Sequence, residues 1–141
     1  MLQVINHTLI KVFILVGCTW IALGCTPQET VPLETTTHSF ANSSATLTMP
    51  AGPVPVEQAM VIELSLPPLV KPGLSQVEGV SMYMGSVPLL WKENDTGDWQ
   101  TTLYLGACTE PRMLWRLTIP LIRPAETGAE SLSLTFESVA N

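Results

Sequence analysis

Histidine is nearly missing from this chain, cysteine is scarce, and charge of either sign is thin. Two histidines, three cysteines and six basic residues stand against twelve acids in 141 residues. Beyond residue 24 the only histidine is His38. A Ser-His-Asp or Cys-His catalytic unit needs a base oriented by a third group, and nothing in the chain suggests one. There is no Gly-rich phosphate loop and no CxxC pair. Asp95 and Asp98 fall in a stretch without the D-x-D-x-D-G ligand pattern of a calcium-binding hand. The expectation is of a protein that is not an enzyme. Apolar positions at helical spacing are also absent over any useful length.

The N-terminus is the most informative segment. Lys11 precedes a run from Val12 to Gly24 that carries no charge. As a helix those residues would span roughly 20 Å, short of the roughly 30 Å of a bilayer's hydrocarbon core. That length suits the apolar region of a secretory signal, and small residues follow it. Its ending, Ala22-Leu23-Gly24-Cys25, resembles the lipobox of bacterial lipoproteins. The resemblance implies cleavage before Cys25, which becomes the first mature residue and carries the lipid. Leu15-Val16-Gly17-Cys18 fits the same pattern, but cutting there would leave only Val12 to Gly17 as the apolar core. A short, uncleaved membrane anchor is the other alternative. Residues 1–24 are therefore read as a signal peptide, and Thr26 after Cys25 leans toward the outer membrane because it is not the retaining Asp of enterobacterial-type lipoproteins.

Removing the signal leaves five basic residues and all twelve acids, a formal charge of −7. An acidic surface repels phosphate backbones, so no nucleic-acid partner is expected. Residues 25–38 are rich in Thr, Pro and Glu and have no apolar periodicity, which reads as a flexible tether. Residues 39–141 then form one small domain.

Within that domain apolar residues alternate with polar ones, and turn signals separate the runs. Met60, Ile62, Leu64 and Leu66 share one face, as do Met113, Trp115, Leu117, Ile119 and Leu121, and also Leu132, Leu134 and Phe136. Val80, Met82 and Met84 alternate in the same way and read as a strand. Ala45 to Met49 supplies a first strand. Glu93 to Asp98 reads as a hairpin loop, because its Asn, Asp and Gly tolerate positive φ. The expected fold class is all-β: a small immunoglobulin-like antiparallel β-sandwich, with a small β-barrel as the alternative. The inter-sheet disulfide of antibody domains is absent, because Cys108 has no partner within the domain.

The sulfurs are the remaining chemistry. A lone thiol outside the cytoplasm is normally buried, metal-bound or open to oxidation. Met82 and Met84 lie two residues apart, and Met113 lies five residues beyond Cys108 across Pro111. Thioethers and a thiolate are soft donors that favour Cu(I) over Zn, Mg or Ca. Cys108, Met82, Met84 and Met113 are thus candidate copper ligands. Ordinary packing explains the same residues, since Met fills core gaps and free Cys is usually buried. Trp91, Trp99 and Trp115 read as core or rim aromatics.

Two resemblances bear on this choice. CTEPRM resembles the C-terminal copper loop of cupredoxins, in which Cys and Met ligands bracket a proline-containing turn; that family also places a His in the loop, where this chain has Glu110 and Arg112. The run from Gly79 to Leu121, with its M-x-M segment, W-Q-x-x-L strand and M-x-W strand, is similar in layout to FixH- and YtkA-type periplasmic sandwich modules. That similarity implies copper handling and assistance to cytochrome oxidase assembly, with an oxidase or assembly protein as partner. FixH-type proteins use a membrane-spanning anchor where this chain has a lipobox. The alternative is a metal-free structural or interaction module that holds another envelope protein by a sheet face or edge strand.

Overall fold

The computed structural model describes residues 34–40, 43–124 and 130–140. The signal, Cys25 and the tether as far as residue 33 lie outside them. None of the described residues is helical. Among the described residues eleven strands run in chain order: β1 (Thr35–Phe40), β2 (Ala45–Pro50), β3 (Val54–Pro55), β4 (Ala59–Ser65), β5 (Lys71–Pro72), β6 (Ser75–Gly79), β7 (Ser86–Leu89), β8 (Lys92–Glu93), β9 (Trp99–Tyr104), β10 (Arg112–Ile122) and β11 (Glu130–Val139).

They form a β-sandwich. One sheet has the order β1-β2-β4-β9-β8, and the other β3-β11-β10-β6-β7, with β5 also on β10. The pairings are antiparallel except for β3 with β11. In the first sheet β2-β4-β9-β8 reproduce the A-B-E-D order of immunoglobulin domains, and β6, β10 and β11 supply C, F and G in the second.

Alternation decides which side chains meet between the sheets. From β4 come Met60, Ile62 and Leu64, and from β10 come Met113, Trp115, Leu117, Ile119 and Leu121, all buried. Leu47, Val77, Leu103 and Leu132 complete the layer. B and F carry the bridging cysteines in antibody domains; here β4 and β10 fill that space with aliphatic side chains and the Trp115 indole. Two buried hydroxyls receive the indole N–H groups. Trp115 Nε1 donates to Ser138 Oγ at 2.8 Å, and Trp91 Nε1 donates to Ser75 Oγ at 2.7 Å. Trp115 is a core residue, while Trp91 and Trp99 are half-buried at its margin.

The long strand β10 contains Pro120, which a central strand tolerates only where no ladder donor is needed. Pro120 C=O accepts the Gly73 N–H at 2.7 Å. Gly73 stands directly opposite, and its carbonyl, which an N–H at position 120 would otherwise bond, accepts the Ser75 hydroxyl at 3.3 Å. The hairpin between β8 and β9 is closed by Asn94, whose Oδ1 accepts from the Thr96 and Asp98 N–H groups at 3.1 and 2.9 Å. Gly97, at φ 89°, supplies the left-handed position.

Two expectations need correcting. Thr35 to His38, assigned to the tether on composition, belong to β1 and pair with Pro50 to Leu47. Thr has a high strand preference, and Thr37 and Thr48 join their hydroxyls across the pair at 3.2 Å. The second concerns Val80, Met82 and Met84. The strand there is Ser75–Gly79, with Ser75 and Val77 inward, and residues 80–85 form a loop. The ladder ends because one carbonyl, that of Leu114, accepts both the Val80 N–H (2.7 Å) and the Ser81 N–H (3.4 Å). That sharing bends the chain away from β10.

Candidate functional site

One end of the sandwich gathers the sulfur chemistry. Two loops build it: residues 80–85, between β6 and β7, and residues 105–111, between β9 and β10. The register fixes their proximity. Trp115 of β10 pairs with Gly79, the last residue of β6, so both loops leave the sheets at the same level. The end of β11 joins them, with the Ala140 N–H donating to Pro111 C=O at 3.0 Å.

The bend after β6 is tight. A Cβ on Gly79 would lie 2.1 Å from the Met82 carbonyl oxygen, which no real side chain tolerates, and 3.4 Å from the Met113 methyl. Glycine at this position is what allows the loop to fold back on β10. Ser81 then fastens it. Its hydroxyl donates to Met113 Sδ at 3.4 Å and accepts the Leu114 N–H at 3.0 Å.

With the loop so held, Met82 meets the other loop. The Cys108 thiol donates to Met82 Sδ at 3.5 Å. Cys108 is half-buried and unpaired by any disulfide, and Met82 is 37 % exposed. Two sulfurs bound to one ion at about 2.3 Å, in trigonal or tetrahedral geometry, lie roughly 3.7–4 Å apart. The observed spacing is within a few tenths of an ångström of that range. Met113 is buried behind the loop, its sulfur taken by Ser81. Met84 sits two residues beyond Met82 on the same loop and is also 37 % exposed. Its sulfur makes no hydrogen-bond contact with the Cys108 thiol.

The four candidates therefore share one end of the fold but are not equivalent. Cys108 and Met82 touch, Met113 stands one hydroxyl away from the loop that carries Met82, and Met84 lies two residues beyond Met82 on that loop. Sequence reasoning missed Gly79 and Ser81, which hold the loop; a Gly followed two residues later by a hydroxyl, just where a strand ends, was the available signal. Among the described residues no three His, Cys, Asp or Glu side chains gather as a metal site. Any ion held here would depend on thioethers. No family model matches this chain, and no curated protein or solved structure is significantly similar to it.

Two grooves lie elsewhere. One is on the outer face of the β4–β9–β8 region, lined by Val61, Leu90, Lys92, Asp95, Gln100 and Thr102. His38 borders a second groove with Thr36, Met49, Phe136 and Glu137. Neither groove includes Cys108.

Proposed function

We propose that this chain is a lipid-anchored, periplasm-facing module of the bacterial cell envelope that holds Cu(I), without a catalytic step of its own. Cys25 is the anchoring residue, and the Cys108–Met82 pair is the primary site. The 3.5 Å contact between Cys108 Sγ and Met82 Sδ supports this reading most directly. It joins a thiol and a thioether that are 26 residues apart in sequence, in loops at the margin of the core, the thiol half-buried against it and the thioether partly open to solvent. Packing alone asks only that each sulfur touch apolar neighbours. Ligation would replace the S–H···S contact with two bonds to one ion, since a coordinating thiol gives up its proton. Met84 and Met113 are the nearest additional thioethers, and Ser81 would have to release Met113 for it to join.

A soft-donor site of this kind suits copper handling near respiratory oxidase assembly, with an oxidase or assembly protein receiving the ion. Titration of the purified chain with Cu(I) against a chromogenic chelator tests it. Uptake of one Cu(I) per chain that Cys108→Ser abolishes is the expected result. No uptake by the unsubstituted chain would leave the interaction module, with β1 as the edge it offers.

A further inference from the structure

We infer that the loop Val80–Met84 rests on the lipid bilayer to which Cys25 tethers the domain, so that the sulfur end faces the membrane. The inference relies on the proposed lipid at Cys25. Three observations carry it.

The first is where the chain enters the domain. Thr35, the start of β1, pairs with Pro50, and Glu34 C=O accepts the Ala51 N–H at 2.7 Å. Three residues further on, Val54 pairs with Ser138, and Ser138 pairs with Met113. The entry point and the 80–85 loop are thus at the same end of the sandwich. The second is reach. Nine residue steps separate Cys25 from Glu34. Fully extended they cover at most about 32 Å, and as a flexible chain roughly 16 Å. A domain held that closely presents its entry end to the lipid surface.

The third observation is what that end displays. Val80, Met82, Tyr83 and Met84 are 41, 37, 89 and 37 % exposed, an apolar projection with a single phenol. From Gly79 to Trp91 there is no charged residue. Tyrosine is favoured at the membrane–water boundary, where its ring is buried and its hydroxyl stays wet. The acidic mature chain is repelled rather than attracted by anionic headgroups, so the contact is apolar and salt, which screens that repulsion, does not weaken it.

The full lipidated chain carrying Tyr83→Trp, reconstituted in 3:1 phosphatidylethanolamine–phosphatidylglycerol vesicles, provides the test. Tyr83 is almost wholly exposed, so the substitution leaves the fold intact. Against the unsubstituted chain, the added indole should emit at shorter wavelength and be quenched by lipids brominated near the headgroup. High salt should weaken neither effect. A chain that floats with the vesicles while the added indole stays unquenched overturns this inference and leaves the anchor standing. A blue shift without bromine quenching means that protein, such as a second copy, covers the loop, and also overturns it. A chain that fails to float overturns both this inference and the anchor.

Discussion

Ser81 donates its hydroxyl to Met113 Sδ at 3.4 Å while accepting the Leu114 N–H at 3.0 Å. One short side chain therefore connects the loop carrying Met82 to the strand carrying Met113. Ser81→Ala removes both bonds. The expected cost in stability is about 0.5–1.5 kcal/mol, the usual net value of a hydrogen bond. Amide exchange in the 79–85 segment should quicken while β10 beyond Trp115 is unaffected. Cu(I) affinity should fall less than in Cys108→Ser. Equal loss in the two variants would mean that Met82 reaches the ion only while Ser81 holds the loop.

Gly79→Ala is the sharper perturbation. Its methyl would collide with the Met82 carbonyl, which is backbone and cannot swing aside. The loop must move, taking Met82 away from Cys108. A destabilisation of about 1–3 kcal/mol in urea unfolding, typical of an overpacked site, should accompany loss of copper uptake. Retained uptake would show that Met82 is not a ligand.

The strands were readable because most obey a local rule. Ile62, Leu64, Trp115, Leu117 and Ile119 fall inward at every second position, and burial follows the pattern. Val80, Met82 and Met84 obey the same rule and are not a strand. Alternation reports which residues could share a face, whereas a strand also needs a backbone partner, and the doubly used Leu114 carbonyl ends the partnership at Gly79. β1 shows the converse. Its apolar pattern is poor, yet the free edge of β2 and the paired threonines extend it. The Cys108–Met82 contact was legible as a set of soft donors but not as a distance, because it arises from the register of β6 on β10.

Trp115 and Ser138 should prove strongly coupled. Both are buried, and among the described residues their bond at 2.8 Å is the only hydrogen bond found for either side chain. Ser138→Ala would leave an indole N–H without a partner in the core, costing about 1–3 kcal/mol. Trp115→Phe should be costlier, through lost volume as well. A double-mutant cycle by denaturant unfolding should give a coupling energy well away from zero; additive effects would mean that water replaces the lost partner.

Cys25→Ser should abolish acylation and leave uncleaved precursor in the membrane fraction. Mass spectrometry of the mature N-terminus decides this. A mature chain that begins at Cys18, or retains the signal, contradicts the lipobox assignment at Cys25.

The four outer strands of the sandwich differ in how they meet neighbouring molecules. β8 is two residues long and charged, β3 ends in Pro55, and β7 contains Pro88, all of which discourage another chain from adding on. β1 alone is six residues long with neither proline nor charge. A chain shortened to begin at Ser39, where composition places the domain boundary, would lose most of β1 and bare the backbone of β2 beside its buried Leu47 and Met49. That truncation should make the protein form more sheet-rich aggregates on concentration than the longer chain does, and restoring residues 33–38 should reverse it. Light scattering of the two chains would record the difference, which makes those few threonines a guard against self-association.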